Sequence, residues 1–594
     1  MAKNRKSGLY PDLINSALRK QYNLPLRSEK HDNYLDLFVD TKQTVLLKNP
    51  DWQVIYGRRG TGKTFLLGVL SEDVHQQLDQ LRILAIRITA QDCIVSPTGR
   101  AVDDKSRALG YFQTFIELLA DRLIQSVEQL IGRPRFLDSI TGSRRRRIER
   151  IEEIALEILS LSQAGYPVAA FANQTQSLQT LSTVRNTATV DATLNAGISP
   201  LSPTLKAGVN AQAQAKEEHQ ATQSRSTDSG AVPRFARVRQ KLLELLDLMD
   251  IRHLNILIDE WSALDPTAAT AVQPEFAELL KRTFAGTGKI SVKIATNRYQ
   301  TRFSNRAAGR EYRGLELNAD IFEAANLDHI LMKEDELWRF YELLLYKRLL
   351  FCEPKLHVFD PYNTGHPDEQ FVLSLFRDPR AFTELVKGAS GIPRDFILIF
   401  NELSRRFDFS ATPPWEATEV QRCIREKSTV KQEDIEYRSE TDQLLTRCIK
   451  EIALSTASRL FFIARADRDA LNAAVEELLE KRLIHGYPKT HLTAEIRSHY
   501  DGFLIDYGLW LDWQYSPHHS KAQEEYTPLL SLEQVEQLTI DTSGIDRQLL
   551  TCQYCHAAFA KDARPYVLRG LCPECFMLAG EHRAGVTAPA RFAA

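Results

Sequence analysis

The chain predicts an α/β fold, a parallel sheet carrying a phosphate-binding loop, followed by helical and mixed units. Three observations predict it. Residues 57–64 read Gly57-Arg58-Arg59-Gly60-Thr61-Gly62-Lys63-Thr64, the Walker A pattern Gly-x-x-x-x-Gly-Lys-Thr. Leu254-Asn255-Ile256-Leu257-Ile258-Asp259-Glu260 is an apolar strand closing in two acids. Lys289 to Ala295 reads as a second buried strand, and it ends in Thr296-Asn297.

The loop has the context it needs. Trp52 to Tyr56 reads as a strand before it, and Thr64 to Leu70 as a helix after it. Glycines let successive N–H groups turn inward around phosphate oxygens, where a Cβ would clash. Lys63 is placed to reach the β- and γ-phosphates, and the Thr64 hydroxyl to ligate Mg²⁺. The helix N-terminus adds its partial positive charge. Gly57, Arg58, Arg59, Gly60, Thr61, Gly62, Lys63, Thr64 and Phe65 are therefore the expected ATP-binding residues.

The strand at 254–260 is apolar on both faces, as a central parallel strand must be. Ligands sit at the carboxyl ends of such strands. Asp259 is expected to hold Mg²⁺, and Glu260 to polarise the water that attacks the γ-phosphate. Asn297, at the end of the next strand, is placed to touch the γ-phosphate or orient that water. Gly391-Ile392-Pro393-Arg394-Asp395-Phe396 reads either as a helix start with a surface arginine or as an arginine packed from a lid onto the phosphates. Arginine suits the second task because its planar fork stays charged.

Together the two Walker motifs, Asn297, the Gly-Ile-Pro-Arg element and a winged-helix candidate resemble the initiator clade of AAA+ ATPases. These are the origin-recognition-like proteins and their bacterial relatives. The resemblance covers about 35–100 and 235–515. It implies an α/β domain, a helical lid, and oligomers with ATP held between subunits. It places Asn297 at sensor one and Arg394 at sensor two. It also implies an arginine finger, with Arg302, Arg306, Arg310 and Arg313 as candidates and Arg306 and Arg310 favoured. The implied function is ATP binding and hydrolysis at subunit interfaces, driving assembly on DNA or its remodelling. The alternative is a signalling or anti-phage-defence ATPase whose assembly recruits or controls a partner effector.

The chain between Lys63 and Asp259 is longer than such a core needs, so about 100–235 reads as insertion. Phe112, Phe115, Ile116, Leu119 and Leu123 recur at helix spacing there, as do Ile151, Ile154, Ile158 and Leu161. Alternation over 187–216 predicts a β-hairpin around Ser199 to Pro203. The predicted domains are a helical lead-in (1–45), the ATPase core with its insertion (46–333), a lid (334–430), a winged-helix-like unit (431–520), a zinc ribbon (545–580) and a flexible tail (581–594). Tyr34, Leu37, Phe38 and Val45 are expected to pack on the nucleotide domain.

Two further features bear on partners. The would-be recognition helix, Ala470 to Glu480, carries Glu476, Glu477 and Glu480, which phosphates would repel. Protein contact is thus weighed equally with DNA for that unit. Arg144 to Arg147 is the densest positive run, read as a solvated face or as a phosphate contact.

Cys552-x-x-Cys555 and Cys572-x-x-Cys575 have the spacing of a structural Cys₄ Zn²⁺ site, with His556 as a possible substitute. The other cysteines are scattered, which suits a cytoplasmic protein with buried thiols. Lys and Arg number 75 against 77 Asp and Glu, so any nucleic-acid surface must be local. No apolar run is long enough to span a bilayer, so no membrane partner is expected, and the N-terminus lacks a secretory h-region.

Overall fold

The computed structural model describes residues 9–163, 235–542, 549–551 and 558–560, apart from interruptions within the first two ranges. The hairpin at 187–216, the four clustered cysteines and the tail at 581–594 lie outside the described residues.

Five parallel strands form the central sheet: β1 (Gln53–Tyr56), β2 (Ile83–Thr89), β3 (His253–Asp259), β4 (Ile290–Thr296) and, after a short pair β5 (Ser304–Asn305) and β6 (Arg313–Gly314), β7 (Phe322–Asn326). Their order is β2-β3-β4-β1-β7. Every residue of β3 and β4 is buried, because each has a strand on both sides and helices on both faces. β2 lies at one edge and alternates buried with half-buried positions. β7 lies at the other edge. Its Phe322 and Glu323 are exposed, so it lacks the apolar run that marks β3 and β4 in the sequence.

The two faces of the sheet are unequal. Val54, Leu254, Ile256, Ile258, Val292 and Ile294 face four helices, Asp104–Ile131, Ser143–Gln163, Phe235–Leu248 and Val272–Phe284. Phe115 meets Phe276 edge-on at 5.7 Å and Phe284 at 6.3 Å. The helices at 104–131 and 143–163, within the stretch read as insertion, thus wall the principal core rather than standing apart from it. The opposite face belongs to helix Lys63–Gln76, whose Leu66, Leu67, Leu70 and Val74 cover Ile55, Leu257 and Ala295.

The lid packs helices Glu334–Cys352, Pro379–Ala389, Pro393–Arg405 and Ala417–Gln432 around an aromatic core, with Tyr341 stacked on Phe396 at 4.4 Å. The N-terminal helix Leu9–Lys20 inserts Ile14, Ala17 and Leu18 into this same core. Lys20 pairs with Glu353 at 2.8 Å, and Gln21 donates to Ser404 at 2.9 Å. Tyr34, Leu37 and Phe38 do reach the nucleotide domain, where Tyr34 meets Phe65 at 5.3 Å. Val45 does not: it is 68 % exposed, because helix Gln43–Leu47 turns only Leu47 inward.

A third unit follows in the order helix Glu440–Arg447, β8 (Leu460–Ala464), helices Arg465–Ala470 and Asn472–Glu480, β9 (Ile484–Gly486), helix Ala494–His499 and β10 (Tyr500–Ile505). Its antiparallel sheet runs β8-β10-β9 over its own apolar core. Helix Tyr507–Gln514 then returns to the lid, burying Tyr507, Trp510 and Leu511 there. Beyond it β11 (Leu549–Thr551) and β12 (Ala558–Ala560) pair antiparallel.

Candidate nucleotide site

Loop 57–62 leaves β1 and is tied at once to the neighbouring strand, since the Gly57 N–H donates to Thr296 O at 3.1 Å. A Cβ on Gly57 would lie 2.4 Å from Thr61 Oγ1, so only glycine fits. Gly60 and Gly62 take φ of 93° and 98°, the left-handed region that glycine enters without strain. Gly62 then caps helix Lys63–Gln76. The Lys63 ammonium spans the loop, donating to Gly57 O at 2.6 Å and Arg58 O at 3.0 Å. Burial lowers its pKa, opposed by the charges of Asp328, Asp259 and Glu260.

Asp259 ends β3 on the face that Leu257 also presents to the loop helix. Burial pushes the Asp259 carboxyl up, against the pull of the Thr64 side chain beside it and of Lys63. A hydroxyl and a carboxylate side by side are hard oxygen donors, which fit Mg²⁺ completed by phosphate oxygens and waters. Among the described residues there is no group of three or more His, Cys, Asp or Glu able to hold a metal alone, and Mg²⁺ at a nucleotide does not require one.

Glu260 is exposed and takes φ 53°, an uncommon conformation for a residue with a side chain. Its N–H donates to Asp259 Oδ1 at 2.9 Å, closing a tight turn that separates the two carboxylates. Asn297 caps the turn Arg298–Gln300: its Oδ1 accepts from the Tyr299 N–H at 3.3 Å and its Nδ2 donates to Gln300 at 3.3 Å. It thus stands at the tip of β4, one residue past the carbonyl that holds Gly57.

Pro393 opens helix Pro393–Arg405 after Ser390 and Gly391, both at positive φ. This start also brings Arg394 to the loop. Its N–H donates to Gly60 O at 3.3 Å, and a Cβ on Gly60 would lie 3.0 Å from Arg394 Cβ. The helix start thus sets the Arg394 backbone against the loop.

The two loop arginines differ. Arg59 is exposed and Arg58 is buried. Both the backbone N–H and Nε of Arg58 donate to Asp328 Oδ1, at 3.1 and 2.9 Å. Its guanidinium therefore points away from the bowl of the loop. Burial alone would raise the Asp328 carboxyl, but Arg58 prevails and holds it below its ordinary value. Asp328 lies two residues past β7 and belongs to no motif, so nothing in the sequence singled it out. Phe65 packs edge-on against Tyr34. Among the finger candidates, Arg313 pairs with Glu275 at 2.8 Å, the Arg302 N–H donates to Gln273, and Arg306 and Arg310 lie outside the described residues.

The acidic helix Asn472–Glu480 is engaged within the chain. Glu477 accepts from Thr441 at 2.5 Å, Glu476 from Asn472 at 2.7 Å, and Glu480 meets Gln300, just past β4, at 3.5 Å. In the basic run, Arg147 donates to Leu248 O, and nearby Arg150 pairs with Glu153 and Glu244. No helix among the described residues is long and apolar enough to cross a membrane.

No protein-family model matches the chain, and no curated protein sequence matches it significantly. Among solved structures it is similar to the Aeropyrum pernix ORC2 protein with ADPNP and ADP, at 10 % identity and TM-score 0.31, covering 86 % of this chain and 97 % of that one. A Walker-type ATPase of Pyrococcus abyssi gives 11 % identity and TM-score 0.31, over 80 % and 95 %. The Aeropyrum pernix ORC1 protein in complex with DNA gives 11 % and 0.25, over 85 % and 96 %. The parallel sheet, loop and helical lid described above agree with the AAA+ resemblance drawn from the motifs.

Proposed function

We propose that the chain binds ATP with Mg²⁺ in loop 57–64 and hydrolyses it. The observation that carries this reading is the meeting of Thr64 and Asp259 beside Lys63. Loop amides and Lys63 hold the β- and γ-phosphates, and Arg394 approaches them from the lid. Thr64 and Asp259 are the residues that would hold Mg²⁺, which when bound neutralises phosphate charge. Glu260 takes the proton of the attacking water. The bond between the γ-phosphorus and the bridging oxygen breaks, releasing ADP and phosphate. Asn297 orients the water from the tip of β4.

Glu260→Gln tests this. Loss of a general base lowers rate by about 10²–10⁴-fold. The variant is expected to bind ATP and retain it, and undiminished hydrolysis would remove Glu260 from the role.

We assign the chain to homo-oligomers with ATP between subunits, and an arginine from Arg302, Arg306, Arg310 or Arg313 acting across the interface. This rests on the AAA+ resemblance. Action on DNA is one outcome. Control of a partner protein is the other, and the carboxylates of Glu476, Glu477 and Glu480 on one helix, which phosphates would repel, favour it. The helix–strand–helix–helix–strand–helix–strand order of 440–505, with its antiparallel sheet, supports a winged-helix-like unit in either case. DNA affinity that falls steeply with salt supports the first outcome, and its absence at low salt supports the second. The spacing of Cys552, Cys555, Cys572 and Cys575 supports a structural Zn²⁺ site.

A further inference from the structure

Behind the nucleotide loop lies a chain of buried polar side chains drawn from all three units. The Arg58 guanidinium donates from Nη1 to His485 Nδ1 at 2.5 Å. His485 Nε2 lies 3.3 Å from Asp506 Oδ2. Lys431 meets Asp506 at 3.1 Å and Asp395 at 3.2 Å. Arg482 pairs with the other oxygen of Asp395. Ser428 completes Asp506 at 2.8 Å. His485 and Asp506 are each 1 % exposed.

The chemistry fixes the direction of every bond. Arg58 can only donate and the Asp506 carboxylate can only accept. A neutral imidazole satisfies both, accepting at Nδ1 and donating from Nε2. No aliphatic or carboxylate side chain could bridge these two groups.

The two ends of the chain are the two lips of the nucleotide site. Arg58 is the second residue of the loop, and Asp395 directly follows Arg394. Asp395 is held by Arg482, from the third unit, and by Lys431, on the last lid helix. Arg58 is held by His485 of β9 and by Asp328 after β7.

We propose that the third unit positions the nucleotide site: its Arg482, His485 and Asp506 set the loop through Arg58 and the lid arginine through Asp395. The proposal rests on the ATP-binding reading and goes beyond it by naming what that site communicates with. Arg482 and His485 are positioning residues, since they act through Arg58 and Asp395. Because coupling between two equilibria is reciprocal, nucleotide must in turn tighten or loosen the docking of the third unit. Either partner of this unit, DNA or protein, would then feel the occupancy of the loop.

The test uses the full-length chain, a fluorescent non-hydrolysable ATP analogue with Mg²⁺, and amide hydrogen exchange over 484–505. In the unaltered chain the analogue is expected to change exchange over these residues. Arg482→Gln and His485→Leu are each expected to weaken analogue binding by about 5-fold or more, the lower bound of typical couplings. Both should also abolish the exchange response. A merely structural role would lower the melting temperature without erasing that response. Arg482→Gln, at a half-buried position, decides the matter if His485→Leu does not fold. Normal binding by the unaltered chain, with both responses unmoved in the variants, overturns the positioning role alone. Failure of the unaltered chain to bind overturns the ATP reading and this inference with it.

Discussion

The Thr64 side chain stands beside the Asp259 carboxylate across the gap between the loop helix and the end of β3, and favours its charged form. These residues come from opposite ends of a long stretch of sequence, and parallel pairing of β3 with β4 and of β4 with β1 brings them together.

Thr64→Ala is expected to remove the response of nucleotide affinity to Mg²⁺. A hydrogen bond to a charged group is worth about 1.5–3 kcal/mol, or roughly 10- to 150-fold in affinity. Titrating an ATP analogue with Mg²⁺ and then with EDTA measures it. A variant that keeps the full Mg²⁺ response would show that Thr64 holds no metal.

Asp259→Asn should separate stability from function. The folded pKa of Asp259 is raised by burial, so the ionised carboxylate opposes folding at neutral pH. Removing that charge is expected to raise the melting temperature without ligand while Mg²⁺-dependent binding is lost. A lower melting temperature would mean that Lys63 and Thr64 outweigh the burial term.

Gly60→Ala places a side chain at φ 93° and 3.0 Å from Arg394 Cβ. Backbone strain of this kind amounts to about 1–3 kcal/mol. The variant is expected to melt earlier and to hydrolyse ATP more slowly, because Arg394 is pushed from the loop. Unchanged hydrolysis would detach Arg394 from the reaction.

His485 should make stability depend on pH. Burial, with the charges of Arg58 and Lys431, lowers its pKa from 6.5 to about 4, against the pull of Asp506. Between about pH 6.5 and 4 the unfolded chain therefore binds the extra proton, and stability falls as pH falls. The Asp506 carboxyl is held far below its ordinary value, so its own contribution is lost only below the usual carboxylate range. Thermal unfolding from pH 7 to 5 should show the decline in the natural chain and a flatter profile in His485→Gln. Equal slopes would assign the effect to other groups.

Metal analysis of the purified chain is expected to find about one Zn²⁺, held by four thiolates. Cys552→Ser with Cys555→Ser should abolish it. Zinc retained by that double variant would rule out the Cys₄ assignment.

The parts of the fold that could be read from sequence are those where one physical demand selects one residue type. Gly57 has no room for a Cβ, and Gly60 and Gly62 need positive φ, so the loop is spelled in glycines. β3 and β4 are buried on both faces, so Leu, Ile and Val recur in β3 and Ile and Val in β4, where Lys293 is buried among backbone and Gln53 acceptors. β7 sits at an edge and gave no such signal. Asp328, His485 and Asp506 were also illegible. Asp328 and His485 depend on Arg58, hundreds of positions away, and Asp506 on Lys431 and Ser428, 75 and 78 positions away. Val45 was misread because a short helix can turn one apolar residue inward and leave its neighbours outside.

Helix Leu9–Lys20 belongs to the lid core, whereas Tyr34 packs on Gly68 of the loop helix and Phe38 on that helix's apolar face. The polypeptide therefore crosses between these bodies twice, once before residue 34 and again after 327. A rotation of one body against the other must be accommodated by both crossings together, which restricts its axis to a line running near the pair. Trimming the first twenty residues would leave a single tether, and the same rotation would gain directions now denied to it.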